Sequence, residues 1–233
     1  MAIVSWKYGY LFLQAPRTGC SAVGDALERE LDGSYLPPDD KYDANGRRVL
    51  HRKHATLPEL VQHGALSEEQ AAELFTFTTV RNPFDREVSL YVKFRSPAYA
   101  ARLDDPAFER RNPADHADQV RALSLEFPDW LEQRFDLRGV PSMLWTRRAR
   151  RRRPALLAGG HTRGVAHVMR FERLQADFDD VLVRLGIDRH IEVPLKNVTQ
   201  GRDHDYRAYY NSRARKIIET VYSGELARWG YEF

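Results

Sequence analysis

The sequence contains a single cysteine, Cys20, among its 233 residues. One cysteine excludes an internal disulfide and is typical of proteins kept in a reducing compartment. Long apolar runs are also missing. The longest one near the start, residues 8–13, is interrupted by Gly9 and is far shorter than the roughly 20 residues of a membrane span. It also lacks the flanking features of a secretory signal peptide. We therefore expect a soluble, cytoplasmic protein without a membrane span.

A large excess of charge is missing too. The net charge is +3, and the segment 147–153 alone contributes six arginines, so the rest of the chain is net negative. No aromatic residues alternate with these arginines, and no nucleic-acid-binding motif accompanies them, which argues against nucleic acid as a partner. The run and the following Gly159 and Gly160 predict an exposed loop. Such a loop could also attract an anionic acceptor, and that alternative stays open.

What the sequence does contain is an alternation of strand and helix patterns. This alternation favours an α/β fold, with a central parallel sheet flanked by helices in one three-layer domain over residues 1–233. Strands are predicted by apolar and β-branched runs at 8–14, 74–80 and 167–171. Helices are predicted up to about residue 31, from a capping box at 67–70, and at 83–92, 127–135, 177–185 and 212–228. The turn-rich segment 35–48 predicts a loop.

The loop at residues 15–21 joins the first predicted strand to a helix. The first amides of a helix lack internal partners, and the helix dipole adds about half a positive charge there. Arg17 brings a planar donor fork, Thr18 and Ser21 bring hydroxyls, and Gly19 allows an anion to approach the backbone. These residues predict an anion site, although a purely structural turn with an exposed Arg17 is the alternative.

The same loop lacks the features of a nucleoside-triphosphatase motif. That motif needs a second glycine and a lysine followed by serine or threonine. Because the missing hydroxyl is the magnesium ligand, metal-dependent phosphoryl transfer is poorly supported and no metal site is predicted.

A second anion site is predicted around Arg81. Arg81 directly follows the predicted strand 74–80 and precedes a helix whose cap is Asn82 with Pro83 at its first position. Carboxyl ends of parallel strands share one edge, so Arg81 is expected to lie beside the first loop. Ser89, two turns into the helix, could reach the same anion. A salt bridge at Arg81 and an ordinary polar position at Ser89 are the structural alternatives.

Together these segments resemble the PAPS-dependent sulfotransferases (PAPS is 3′-phosphoadenosine 5′-phosphosulfate), in the branch that contains the carbohydrate sulfotransferases. Residues 14–21 resemble the family's 5′-phosphosulfate loop, and residues 80–91 resemble its 3′-phosphate motif. Weaker similarities occur at 169–178 and at 209–233, whereas 95–165 is largely unmatched.

The resemblance implies a P-loop-like sulfotransferase fold and transfer of the sulfuryl group of PAPS to a hydroxyl or similar acceptor, releasing PAP, without a metal. The acceptor is expected to be a small molecule or a carbohydrate, and it can be anionic. The resemblance also assigns the donor-binding residues. The 5′ end of PAPS is held by Arg17, Thr18, Gly19, Cys20 and Ser21, and the 3′-phosphate by Arg81 and Ser89. Many members have lysine where Arg17 stands, and arginine keeps the charge but does not readily release a proton. Arg17 is therefore expected to act electrostatically on the leaving phosphate.

The acceptor needs a general base, and histidine suits neutral pH. His54 is the predicted base, because it lies between the two motifs and the Lys-His-Ala-Thr segment around it also resembles the family. His51 is the alternative, and Glu28 and Glu30 are weaker acidic candidates. Two other functions stay open at this point, a magnesium-dependent nucleotide phosphotransferase and a non-catalytic binder of nucleic acid or another polyanion.

Overall fold

The computed structural model describes residues 2–46, 48–111, 113–152, 160–194, 203 and 205–233. Contacts within the chain divide it into two units. The first unit comprises Met1–Arg81 and Gly159–Val198 and contains the sheet. The second comprises Asn82–Ala158 and Thr199–Phe233, and its regular elements in the described residues are helical. The expectation of one domain over residues 1–233 stays a prediction.

The first unit is built on a mixed five-stranded sheet of order β3-β1-β2-β6-β7. Strands β2, β6 and β7 run parallel, whereas β1 pairs antiparallel with both β2 and β3. The predicted α/β class is thereby confirmed. A separate ladder pairs β4 with β5. The strands are β1 Ala2–Ser5, β2 Tyr10–Leu13, β3 Ser34–Leu36, β4 Lys41–Tyr42, β5 Arg48–Leu50, β6 Phe75–Val80 and β7 His167–Arg170.

Three short strands, β3, β4 and the start of β5 at Arg48, correct the expectation of a loop at 35–48. Strand β3 pairs with the edge of β1, with Ala2 opposite Leu36, and β4 begins the second ladder. The turn-rich composition of this segment was outweighed by tertiary pairing, because an open strand edge offers unpaired backbone groups that a neighbouring segment can satisfy.

Helices cover both faces of this sheet. On one face, the strand residues Phe12 and Phe77 pack against Val23 of α1 and Phe178 of α10. On the other face, Leu11 and Leu13 pack against the segment that contains α2 and α3. Both α2 and α3 begin with capping boxes, and the one at Ser67 is as predicted. The helices of this unit are α1 Cys20–Glu30, α2 Leu57–Gln62, α3 Glu68–Glu73 and α10 Leu174–Arg184.

The parallel register aligns the carboxyl ends of three strands. Leu13 lies opposite Thr78, and Val80 lies opposite Arg170. The loop after β2, Arg81 after β6 and Phe171 after β7 therefore leave the sheet at one edge, as the sequence predicts for the first two.

The second unit is a set of helices around an aromatic core that includes Phe84, Trp130 and Phe135. Helix α4 begins as predicted, with the Asn82 side chain accepting a hydrogen bond from the Phe84 amide at 3.0 Å. The helices are α4 Pro83–Phe94, α5 Pro97–Ala100, α6 Pro106–Arg111, α7 Pro113–Ser124, α8 Phe127–Arg134, α9 Trp145–Arg152, α11 Ser212–Val221 and α12 Ser223–Trp229.

The expectation that the arginine run is a loop was wrong. Its residues up to Arg152 belong to helix α9. Trp145 and Ala149, four residues apart, are buried in the core of the second unit and hold one side of the helix in place. Arg153 and Gly159 lie outside the described residues.

Across the described ranges, no helix combines the length and the hydropathy that a membrane crossing requires.

Candidate functional site

Helix α1 starts without a side-chain cap. Its N-cap residue is Gly19, in a left-handed conformation with φ 77°, and no side chain of the described residues caps this terminus. The first turn also carries no acidic residue. Side chains cap α2, α3, α4 and α11, whereas α5, α8, α10 and α12 lack a side-chain cap as α1 does. The start of α1 therefore keeps the positive end of its dipole and its first amides available to an anion.

Gly19 is fixed by packing as well as by its backbone angle. A Cβ atom at this position would lie 2.8 Å from Leu174 Cδ2 and 3.0 Å from Phe171 Cδ2, so these side chains would have to shift to admit it. The left-handed conformation also disfavours any residue with a Cβ. The loop after β2 is thus pressed against the residues that follow β7, which fixes the position of the helix start.

Arg81 lies beside this loop, as predicted. Its Nη1 donates to the Arg17 carbonyl at 3.2 Å, and its guanidinium carbon lies 4.0 Å from the centroid of the Phe171 ring. Arg81 is only 5% exposed. Because the guanidinium is held by both contacts, a fixed positive charge sits at the sheet edge within hydrogen-bonding distance of the loop backbone.

The side chains of Thr18 and Cys20 point into the protein. The Thr18 hydroxyl donates to the Ala15 carbonyl at 2.8 Å and is hydrogen-bonded to the Thr79 hydroxyl. Burial raises the pKa of the Cys20 thiol, although the charges of Lys53 and Arg17 partly oppose that effect. Both residues can therefore offer an anion their backbone amides, while Ser21, which is half-buried, can also offer a hydroxyl.

His54 is hydrogen-bonded to the start of the same loop. Its Nδ1 lies 2.9 Å from the Gln14 carbonyl oxygen. A carbonyl oxygen can only accept, so Nδ1 carries the hydrogen and Nε2 is the basic atom of the neutral ring. The Nε2 of His161 donates in turn to the His54 carbonyl at 3.0 Å and fixes this backbone segment.

Burial, with smaller effects from the neighbouring His51 and His161, lowers the pKa of His54 to about 2, although the hydrogen bond to the Gln14 carbonyl acts in the opposite direction. The ring is therefore neutral at physiological pH, which is the form that can accept a proton. His51 is differently placed, because its Nδ1 already accepts the Lys53 amide hydrogen at 2.9 Å. Its neutral ring then carries the hydrogen on Nε2, so the geometry favours His54 over His51 as a base.

The acidic alternatives are engaged elsewhere in the first unit. Glu28 accepts a hydrogen bond from the Tyr35 hydroxyl. Glu30 forms an ion pair with Arg189 at 3.0 Å. Ser89 belongs to the second unit, where it is 1% exposed on α4. Its part in holding an anion with Arg81 stays a prediction.

An open depression of about 490 Å³ is lined in part by the residues that immediately precede His54 in the sequence. Tyr42 at its wall is 54% exposed. The depression combines carboxylates, cations and an aromatic ring, and is lined by Asp39, Asp40, Tyr42, His51, Arg52 and Lys53. Polar groups of both signs beside an aromatic face suit a hydroxylated or anionic ligand.

Three residues of this region received no role from the sequence, although Lys53 and Phe171 lie in segments that resemble the family. Lys53 acts electrostatically on Cys20 and could have been noticed as the neighbour of His54. The roles of Phe171 and His161 arise only when β7 and the turn before it are placed beside the loop. The described residues contain no group of three or more histidine, cysteine, aspartate or glutamate side chains placed to hold a metal.

Comparison with known proteins gives one match. The family model described as "Sulfotransferase family" matches residues 1–232, which is nearly the whole chain. No curated protein and no solved structure matches the chain.

Proposed function

The chain belongs to the sulfotransferase family, and from this premise we propose that it transfers the sulfuryl group of PAPS to a hydroxyl or similar acceptor and releases PAP. The observation that carries this proposal is the uncapped start of α1, flanked by Arg17 and the fixed guanidinium of Arg81. An uncapped helix start and an adjacent guanidinium are complementary to phosphate and sulfate groups. The residues at the sheet edge thus fit an anionic nucleotide.

Two groups of residues would hold the donor. The 5′ end would be bound by Arg17, the amides of Thr18, Gly19 and Cys20, and the amide and hydroxyl of Ser21. Arg81 and Ser89 would bind the 3′-phosphate. Thr18 and Cys20 contribute backbone rather than side chains in this assignment, because the Thr18 hydroxyl is already bonded and the Cys20 thiol is buried.

PAPS would supply an activated sulfuryl group. Because this group carries a single negative charge, its transfer does not require a metal. Arg17 stays charged at any physiological pH and stabilises the negative charge that develops at the start of α1. Losing one such donor commonly lowers the rate by about 10²–10³. His54 accepts the acceptor's proton at Nε2. General bases typically contribute about 10²–10⁴, and a base whose pKa lies well below the working pH contributes less.

The acceptor would enter from the depression that includes His51 and Lys53. Its lining supports a small molecule or a carbohydrate with hydroxyl groups, and Arg52 and Lys53 allow the acceptor to be anionic. A cytoplasmic location is part of the proposal, since the single cysteine, Cys20, is buried and free.

Calorimetric titration with PAP tests the proposal. We expect wild-type protein to bind PAP equally with and without magnesium, and Arg81→Ala to lose binding. Arg81→Lys should retain part of the affinity, because it keeps the charge but loses the planar fork. Arg184→Ala, an exposed arginine of the same unit, is the matched control and should bind as wild type.

The other functions give different titrations. A phosphotransferase would require magnesium, and a polyanion binder would show no affinity for PAP. Unchanged affinity in Arg81→Ala, with the fold intact by circular dichroism, would remove Arg81 from the 3′-phosphate site.

A further inference from the structure

Helix α9 of the second unit presents arginines to solvent on the side away from the core. Trp145 and Ala149 are 7% and 0% exposed and fix one side of the helix. The exposed positions are Arg147, Arg148, Arg150 and Arg151. The burial of the opposite side therefore gives this charged side a fixed direction.

Most of this charge is not neutralised within the described part of the chain. Arg148 pairs with Asp136 at 2.5 Å. Among the described residues, no acidic side chain pairs with Arg147, Arg150 or Arg151. Arg147 is three and four residues from the other two, a spacing at which like charges destabilise a helix. An anionic partner would relieve this repulsion.

Two exposed apolar side chains adjoin the arginines. Met143 is 88% exposed and Leu144 is 44% exposed, in a 3₁₀ turn, Ser142–Leu144, that leads directly into α9. Leu144 precedes Arg147 by three residues, so the two share a side at helical spacing. A soluble polyanion gives such side chains nothing to be buried in, whereas a lipid interface does.

We propose that this turn and helix dock onto the surface of a membrane that contains anionic lipids. Met143 and Leu144 enter the boundary between headgroups and acyl chains, and Arg147, Arg150 and Arg151 contact headgroup phosphates. Basic segments are attracted to anionic leaflets, and adjoining apolar side chains add binding through burial. The attachment is peripheral, because the apolar side of α9 itself stays buried in the second unit.

Sedimentation with vesicles tests the electrostatic part. The full chain is mixed with vesicles of phosphatidylcholine alone, or with part of that lipid replaced by phosphatidylglycerol. We expect binding only to the anionic vesicles, weakening as salt rises. The double variant Arg147→Gln/Arg151→Gln should bind about 25-fold more weakly, at roughly fivefold per arginine.

The matched control removes two other exposed arginines, Arg110→Gln/Arg184→Gln, with the same change in net charge. It should bind nearly as well as wild type. Equal losses in both double variants would mean that net charge alone drives binding, and would overturn the proposal.

The apolar part is tested by Met143→Ser, which leaves every charge in place. Its affinity for anionic vesicles should fall roughly tenfold, while its affinity for heparin in solution should not change. If Met143→Ser binds the vesicles as wild type does, Met143 does not enter the lipid boundary and the proposed mode of docking is overturned. Absence of wild-type binding to anionic vesicles would also overturn the proposal.

Discussion

His54 shows how far a single residue of this site departs from its ordinary chemistry. Burial lowers its pKa to about 2, and the hydrogen bond from Nδ1 to the Gln14 carbonyl selects one neutral form of the ring. The ring is therefore ready to accept a proton at Nε2, but it is a weaker base than a free histidine. In the unfolded chain the same ring regains a pKa of about 6.5.

This shift makes the stability of the protein depend on pH. The unfolded state binds the proton more readily than the folded state does. The contribution of His54 to the free energy of unfolding is therefore complete above about pH 6.5 and declines as the pH falls below that value. Between pH 7 and pH 5 we expect wild type to lose up to about 2 kcal/mol of unfolding free energy through His54. Urea unfolding at the two pH values measures the loss.

His54→Gln supplies the comparison. Glutamine can still donate to the Gln14 carbonyl but does not titrate, so its stability should change less between the two pH values. The pKa values of His51 and His167 are also lowered, and their contributions remain in both proteins. If wild type and His54→Gln lost equal stability, the burial of a neutral His54 ring would be contradicted.

The sequence predicted part of this site and missed another part for a physical reason. Arg17, Gly19 and Arg81 each adjoin a strand or helix end, and such positions follow from local patterns. Phe171 and His161 act on residues about ninety or more positions away, at Arg81 and His54. Contacts across that distance exist only after the parallel strands are placed in register, which no local pattern specifies.

At the scale of elements, a buried network of charges joins three helices of the second unit. The Nε of Arg134, on α8, donates to Glu87 on α4 at 2.8 Å, and Arg134 also pairs with Asp118 on α7. The Tyr222 hydroxyl donates to Glu87 at 2.6 Å. Glu87, Asp118 and Arg134 are 1%, 0% and 4% exposed, so each charge depends on its partners rather than on water.

Removing one partner should therefore be costly. We expect Glu87→Ala to lower the unfolding free energy by about 3–5 kcal/mol, because it leaves Arg134 with less compensation in a dry environment. Glu219→Ala is the control, since it breaks an exposed pair with Arg215 on one helix and should cost no more than about 0.5 kcal/mol. Similar losses in the two variants would show that the network does not stabilise the unit.

The same elements explain why a motif cannot be equated with a binding site. Within residues 80–91, Asn82 caps α4, Arg86 forms a two-point ion pair with Glu225, and Glu87 enters the buried network. Arg81 donates a hydrogen bond to the loop, at the Arg17 carbonyl. Much of the sequence signal in this motif therefore maps to the folding of the second unit.

At the scale of the whole molecule, the alternation of strands and helices was sufficient to predict an α/β fold. The contact boundary falls between Arg81 and Asn82, inside a continuous motif. Composition also gave a wrong prediction at 147–153, where the charge suggested a loop. The segment up to Arg152 is instead part of a helix, which the buried side chains of Trp145 and Ala149 hold against the core. Periodicity over eight residues is too short a signal to outweigh so much charge.

The proposed nucleotide site predicts how the chain responds to heat. A ligand that binds only the folded state at about 100 times its Kd adds about 2.7 kcal/mol of stability. In a chain of this size about 1 kcal/mol moves Tm by roughly 2–4 °C, so PAP should raise Tm by about 5–10 °C. AMP has the 5′-phosphate but no 3′-phosphate, so at the same concentration it should give a smaller shift.

Scanning calorimetry of wild type and Arg81→Ala separates the contributions of the two phosphates. In the variant, PAP should raise Tm no more than AMP does. An equal shift with PAP and AMP in wild type would show that the sheet edge does not recognise the 3′-phosphate.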